Sequence, residues 1–314
     1  MAQENTKGGI DLSLAGFRFT FEGQNLCDFI LAMPFFRPFR LDLSQGNILG
    51  CPDKTQFTVR EDISAEEAQT LRKEFEGKEA FFDVSFEDIV CKFFREGNRI
   101  LFRMNEEHSG LELWEEWEIG ADTLRTSVVR ATATMYRYAL WTAVNFLLLR
   151  HKCLAIHCSV NVFDSREAVA FLGESGTGKS THTRLLRERY PQEARLLNDD
   201  SPLVRAMDDG EVLIYGSPWS GKTPCYKAEA YPLRAFVRLS QAPYNKIRPL
   251  GPLQEIGALL PSAPPALNYQ EETSDQLCEY ISDVLEKVSV WALECLPNTE
   301  AAELSHDTVL LRRS

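Results

Sequence analysis

The stretch Gly173-Glu174-Ser175-Gly176-Thr177-Gly178-Lys179-Ser180-Thr181 has the spacing G-x-x-x-x-G-K-[ST] and follows the apolar run Ala168 to Leu172. Glycines at this spacing let successive backbone N–H groups converge on phosphate oxygens, in a concavity that a Cβ would obstruct. The start of a following helix adds the positive end of its dipole. Lys179 can then bridge the β- and γ-phosphates of a nucleotide, and the Ser180 hydroxyl can ligate Mg²⁺ held between them. The first expectation is therefore a site for ATP with Mg²⁺, built on residues 173 to 181.

Further along, Leu196-Leu197-Asn198-Asp199-Asp200 delivers two adjacent carboxylates at the end of an apolar run. One of them can hold Mg²⁺ with Ser180, and the other can accept a proton from an attacking hydroxyl; the spacing does not say which does which. Asp208-Asp209-Gly210 has the different look of a solvated turn. His157, in Ile156-His157-Cys158-Ser159-Val160, lies one strand before the glycine loop, where it can point into the same strand-end crevice. His182, inside the helix after the loop, reads as a surface or packing residue. A second Gly/Ser segment, Gly216-Ser217-Pro218-Trp219-Ser220-Gly221-Lys222-Thr223, offers Lys222 to neutralise charge on a transferred phosphoryl group and Trp219 to stack on a ligand. The alternative for that segment is an ordinary turn with a packed Trp and an exposed Lys.

These residues need a scaffold. With 314 residues, 44% hydrophobic and 25% charged, the chain has the composition of a globular protein large enough for two packed domains. Alternation in Phe17 to Phe21 and Ile100 to Met104, punctuated by Gly and Pro, predicts a β-rich part over 1–127, interrupted by one helix after the capping box at Ser64. A helix over Val128 to Leu149 opens the second part, 128–314, where strands at 153–162, 168–172, 195–197, 212–215, 235–239 and 288–295 alternate with helices at 179–189, 252–260 and 274–286. The Pro/Ala stretch Pro261 to Ala266 is expected to separate helices rather than domains. The fold class is thus α/β with a β-rich amino-terminal domain.

A net charge of -12 argues against a nucleic-acid partner, because counterion release favours basic surfaces. The apolar run Tyr138 to Leu149 is short for a bilayer span, so no membrane is expected, and the polar start of the chain predicts a cytoplasmic protein. Eight scattered cysteines without a C-x-x-C pair read as reduced, mostly buried thiols.

The succession from His157 through Gly173-Glu174-Ser175-Gly176-Thr177-Gly178-Lys179-Ser180 to Asp199-Asp200 resembles the kinase domain of HPr kinase/phosphorylase, and the region Gly216 to Leu250 is more loosely similar. The resemblance implies a phosphoenolpyruvate carboxykinase-like P-loop core and transfer of the ATP γ-phosphate to a hydroxyl. It assigns metal binding and acid/base work to Asp199 and Asp200, a role to His157, and self-association to the chain. The amino-terminal half does not resemble that family's regulatory domain, and the glycine-rich segment that engages HPr has no counterpart here. The acceptor is accordingly a serine of another protein or peptide, or a small molecule. The alternative is a nucleotide-binding regulator with little or no transferase activity.

Overall fold

The structure is a computed structural model that describes residues 9–41, 55–164, 166–221 and 223–311. The chain divides into two compact units, Met1–Arg150 with Ala266–Thr273, and His151–Pro265 with Ser274–Ser314.

The first unit is built on eight strands: β1 (Ile10–Leu14), β2 (Phe17–Glu22), β3 (Gln56–Ile63), β4 (Phe82–Phe86), β5 (Ile89–Glu96), β6 (Arg99–Glu106), β7 (Glu112–Glu118) and β8 (Thr123–Ser127). They form one sheet in the order β1-β2-β3-β8-β7-β6-β5-β4, antiparallel except where β3 pairs with β2 and β8. Alternation is the reason for the strands: Phe17, Phe19 and Phe21 of β2 are buried while Arg18, Thr20 and Glu22 are not. The α-helices α1 (Gln24–Ala32), α2 (Ala65–Phe75) and α3 (Ala133–Leu148) accompany the sheet. Ser64 Oγ accepts from Glu67 N at 3.1 Å, so α2 starts where the capping box predicts.

Three features differ from the sequence expectations. α1 was not foreseen, because its first turn is capped from a distance: Glu61 Oε2 on β3 accepts from Asn25 N at 3.0 Å and Leu26 N at 3.4 Å. The break expected at 127/128 falls instead after Arg150. The reason lies in α3, whose Tyr138 meets Phe86 at 4.8 Å between ring centroids and whose Phe146 meets Trp117 at 5.2 Å, both on the first sheet. The Pro/Ala stretch also does more than separate helices, since the chain returns to the first unit at Ala266. There Tyr269 packs on Phe82 at 5.0 Å and Glu272 pairs with Arg95.

The second unit contains β9 (Cys153–Ala155), β10 (Cys158–Val162), β11 (Ala168–Leu172), β12 (Arg195–Asp200), β13 (Leu203–Ala206), β14 (Val212–Tyr215), β15 (Ala230–Gln241), β16 (Lys246–Pro249) and β17 (Ser289–Cys295). Its helices are α4 (Lys179–Arg189), α5 (Pro252–Leu259), α6 (Glu271–Lys287, its first residues in the first unit) and α7 (Thr299–His306). The long β15 organises the nine-stranded mixed sheet. Its first residues pair antiparallel with β14, and its later ones run parallel between β11 and β17. Every residue of β10 and β11 is buried, as strands covered on both faces must be. Phe171, Leu186, Val237, Leu293 and Ala302 share the core between this sheet and α4 and α7.

The single strand expected over 153–162 is broken between β9 and β10. Ile156 N donates to Pro202 O at 3.1 Å and His157 N to Ser262 O at 2.7 Å, so neither backbone group is left for a regular ladder. That break puts His157 at the head of β10. Among the described residues, no helix is long and apolar enough to cross a membrane.

Candidate functional site

β11 ends at Leu172, and the chain turns through Gly173, Gly176 and Gly178 at φ of 146°, 84° and 108°. Gly178 is the residue before α4 and sits in the left-handed region, where a side chain would be strained. The loop closes on itself, as Thr177 N donates to Glu174 O at 3.2 Å and the Thr177 hydroxyl donates to the same oxygen. Lys179 Nζ reaches back to Gly173 O at 2.7 Å and Glu174 O at 3.1 Å, and lies 2.9 Å from His157 Nε2. Burial lowers the Lys179 ammonium below the ordinary lysine range, while Asp200 and Asp199 pull it the other way.

The acidic pair arrives on β12, which runs antiparallel to β10 with Asp200 opposite Cys158 and Asp199 opposite Ser159. The two carboxylates differ in environment. Asp199 is 5% exposed, and its Oδ2 has no hydrogen-bond partner among the described residues. The Asp200 side chain is 32% exposed, with Oδ1 3.1 Å from His157 Nδ1. His157 thus stands between Lys179, 2.9 Å from its Nε2, and Asp200, 3.1 Å from its Nδ1, at the head of the sheet.

Sequence reasoning passed over the residue that positions the pair. Asn198 is fully buried; its Oδ1 accepts from Asp200 N at 3.0 Å and Ser201 N at 3.1 Å. Its Nδ2 donates to Trp219 O at 3.1 Å and Ser217 Oγ at 3.2 Å, fastening the acidic turn to the segment 216–221. Gly221 completes the join by donating its N–H to Asp199 O at 2.7 Å; a Cβ there would come within 2.6 Å of that oxygen. The only sequence signals were an amide directly before the acids and a glycine after Ser220.

A cleft of about 330 Å³ gathers His157, Ser175, Gly176, Gly178, Lys179, Ser180, Thr181, Asp199 and Asp200 from the expected set, together with Cys158 and Gly221. Gly173 and Glu174 contribute the carbonyls that hold Lys179, and Thr177 braces the loop. Lys222 lies outside the described residues. Trp219 is 3% exposed and packs inside, so the expected stacking on a ligand is replaced by a structural role. His182 is likewise a packing residue, buried with Nε2 2.9 Å from Ser305 Oγ.

The donors present suit a hard cation that shares its shell with phosphate. Among the described residues no three His, Cys, Asp or Glu side chains form a cage of their own. A hydroxyl, an orphaned carboxylate oxygen and substrate oxygens are the ligands Mg²⁺ commonly takes.

No protein-family model matches the chain, and no curated protein does. Among solved structures, the chain is similar to the Hpr(Ser) kinase/phosphatase from Coxiella burnetii, at 15% identity over 50% of this chain and 93% of that one, with a TM-score of 0.29. A similarity so slight leaves the chemistry to be read from the residues of the cleft.

Proposed function

We propose that the second unit binds ATP with Mg²⁺ on residues 173–181 and transfers the γ-phosphate to a hydroxyl of a protein, peptide or small molecule. The observation carrying this reading is the buried Oδ2 of Asp199, without a hydrogen-bond partner among the described residues, in the cleft that also holds Lys179 and Ser180. A buried polar atom without a partner costs on the order of 1–3 kcal/mol, more when charged, and a cation beside it removes that cost.

Roles follow from environment. Backbone N–H groups of the loop and the Lys179 ammonium hold the phosphates. Ser180 and Asp199 hold Mg²⁺, which when bound offsets phosphate charge. Asp200, more open than Asp199, accepts the proton of the acceptor hydroxyl, and His157 orients it through Nδ1. The sequence resemblance to HPr-kinase-like proteins agrees with this reading and with a phosphoenolpyruvate carboxykinase-like core.

Calorimetric titration with ATP and Mg²⁺, followed by a γ-phosphate transfer assay on peptide and small hydroxyl acceptors, tests it. Lys179→Ala should weaken ATP binding on the order of 100-fold. Asp200→Asn should keep binding and slow transfer on the order of 100-fold or more, whereas Asp199→Asn should weaken the Mg²⁺ dependence of both. Binding without transfer to any acceptor would make the protein a nucleotide-binding regulator. Absence of binding in the unaltered protein would sink the reading.

A further inference from the structure

A second cleft, of about 520 Å³, adjoins the acidic one, and the two share Gly176, Gly178 and Thr181 as a common wall. A polyphosphate lying along the loop therefore has one end toward each. Their chemistry is opposite. The acidic cleft carries His157, Lys179, Asp199 and Asp200, whereas no Asp, Glu, Lys or Arg lines the second among the described residues. Its walls are Leu239, Ala242, Pro243, Leu296 and Pro297, with the Gln241 amide at the rim. Gln241 Nε2 donates to Gly176 O at 3.3 Å, tying this rim to the phosphate loop.

We infer that the second cleft receives the nucleoside end of the nucleotide, with the base against the apolar walls and Gln241 at its polar edge. This placement rests on the phosphotransfer reading above. The terminal phosphoryl group has to lie beside Asp199 and Asp200 for chemistry to occur, so the remainder of the donor must leave the acidic cleft, and the shared wall leads it into the second. The acceptor does not compete for this space, because its hydroxyl must reach Asp200 on the other side of the wall. The volume fits as well, since small-molecule sites commonly span roughly 300–1,000 Å³ with mostly apolar linings and a few polar groups.

The test compares ATP with inorganic tripolyphosphate, both with Mg²⁺, by calorimetry. Tripolyphosphate occupies only the loop and the acidic cleft, so it reports the phosphate site alone. Ala242→Trp fills the second cleft, and Leu296→Ala removes part of a wall at a partly exposed position where folding is not at stake. Ala242→Trp should weaken ATP binding about tenfold or more and Leu296→Ala about threefold or more, while tripolyphosphate affinity stays within about twofold of the unaltered protein. ATP binding unchanged in both variants, or tripolyphosphate binding as tightly as ATP in the unaltered protein, overturns the placement. Unaltered protein that binds neither probe overturns the phosphotransfer reading and this placement with it.

Discussion

Asn198 fixes two neighbouring carboxylates with the two ends of one amide. Its oxygen holds the backbone of Asp200 and Ser201, and its nitrogen holds the segment ending at Gly221. Both sets of bonds are buried, so truncation leaves donors and acceptors without partners rather than returning them to water. Asn198→Ala should lower stability by about 2–3 kcal/mol. It should also cut phosphoryl transfer more deeply than a stability loss explains, measured on folded protein well below its unfolding temperature, while tripolyphosphate binding by Lys179 persists. Equal loss of both activities would show that Asn198 only holds the fold. At this scale the residues that the sequence singles out come together: Lys179, Ser180, Asp199 and Asp200 all line one cleft. The sequence did not display what supports them, because an asparagine before two aspartates looks the same whether its amide is solvated or buried.

α4 is held at its start by the glycine loop and along its length by packing on α7, where His182 Nε2 meets Ser305 Oγ and the imidazole lies 4.8 Å from the Phe171 ring. Burial pushes the His182 pKa down to about 4. The folded chain therefore resists the proton that the unfolded chain accepts near pH 6.5, so this contribution to stability is present above that pH and is lost as pH falls toward 4. The expected loss is about 2 kcal/mol between pH 7 and pH 5, visible in denaturant unfolding, and His182→Gln should flatten that part of the profile. An unchanged profile in the variant would remove His182 as its source. Elements with local signals were legible: the strand at 168–172 and the helix at 179–189 fall where periodicity and the glycine loop put them. Helix α1 was hidden because Gly23 offers no capping side chain and the acceptor comes from Glu61, on another strand. The strand break at His157 was hidden for a similar reason, its backbone partners being Pro202 and Ser262.

Over the whole molecule, each unit has its own sheet and its own buried residues, Trp114, Phe94 and Phe75 among those of the first and Phe171, Val237 and Leu293 among those of the second. Chains of this kind commonly depart from a single two-state transition. Calorimetric unfolding should resolve into two components, and saturating ATP with Mg²⁺ should raise the component belonging to the second unit by ligand linkage. One sharp transition that moves as a whole would contradict this. Sequence patterning could not place the division, since α3 owes its allegiance to aromatic contacts with the first sheet and the return at Ala266 to Tyr269 and Glu272. That return sets an order of events during synthesis. A ribosome emits residues from the amino terminus, so the first unit emerges without residues 266–273 and cannot gain the Phe82–Tyr269 packing or the Arg95–Glu272 pair until β9 to β16 have already been made. The second sheet is then still waiting for β17, the neighbour of β15. Both halves of the protein thus reach completion within the same late stretch of translation.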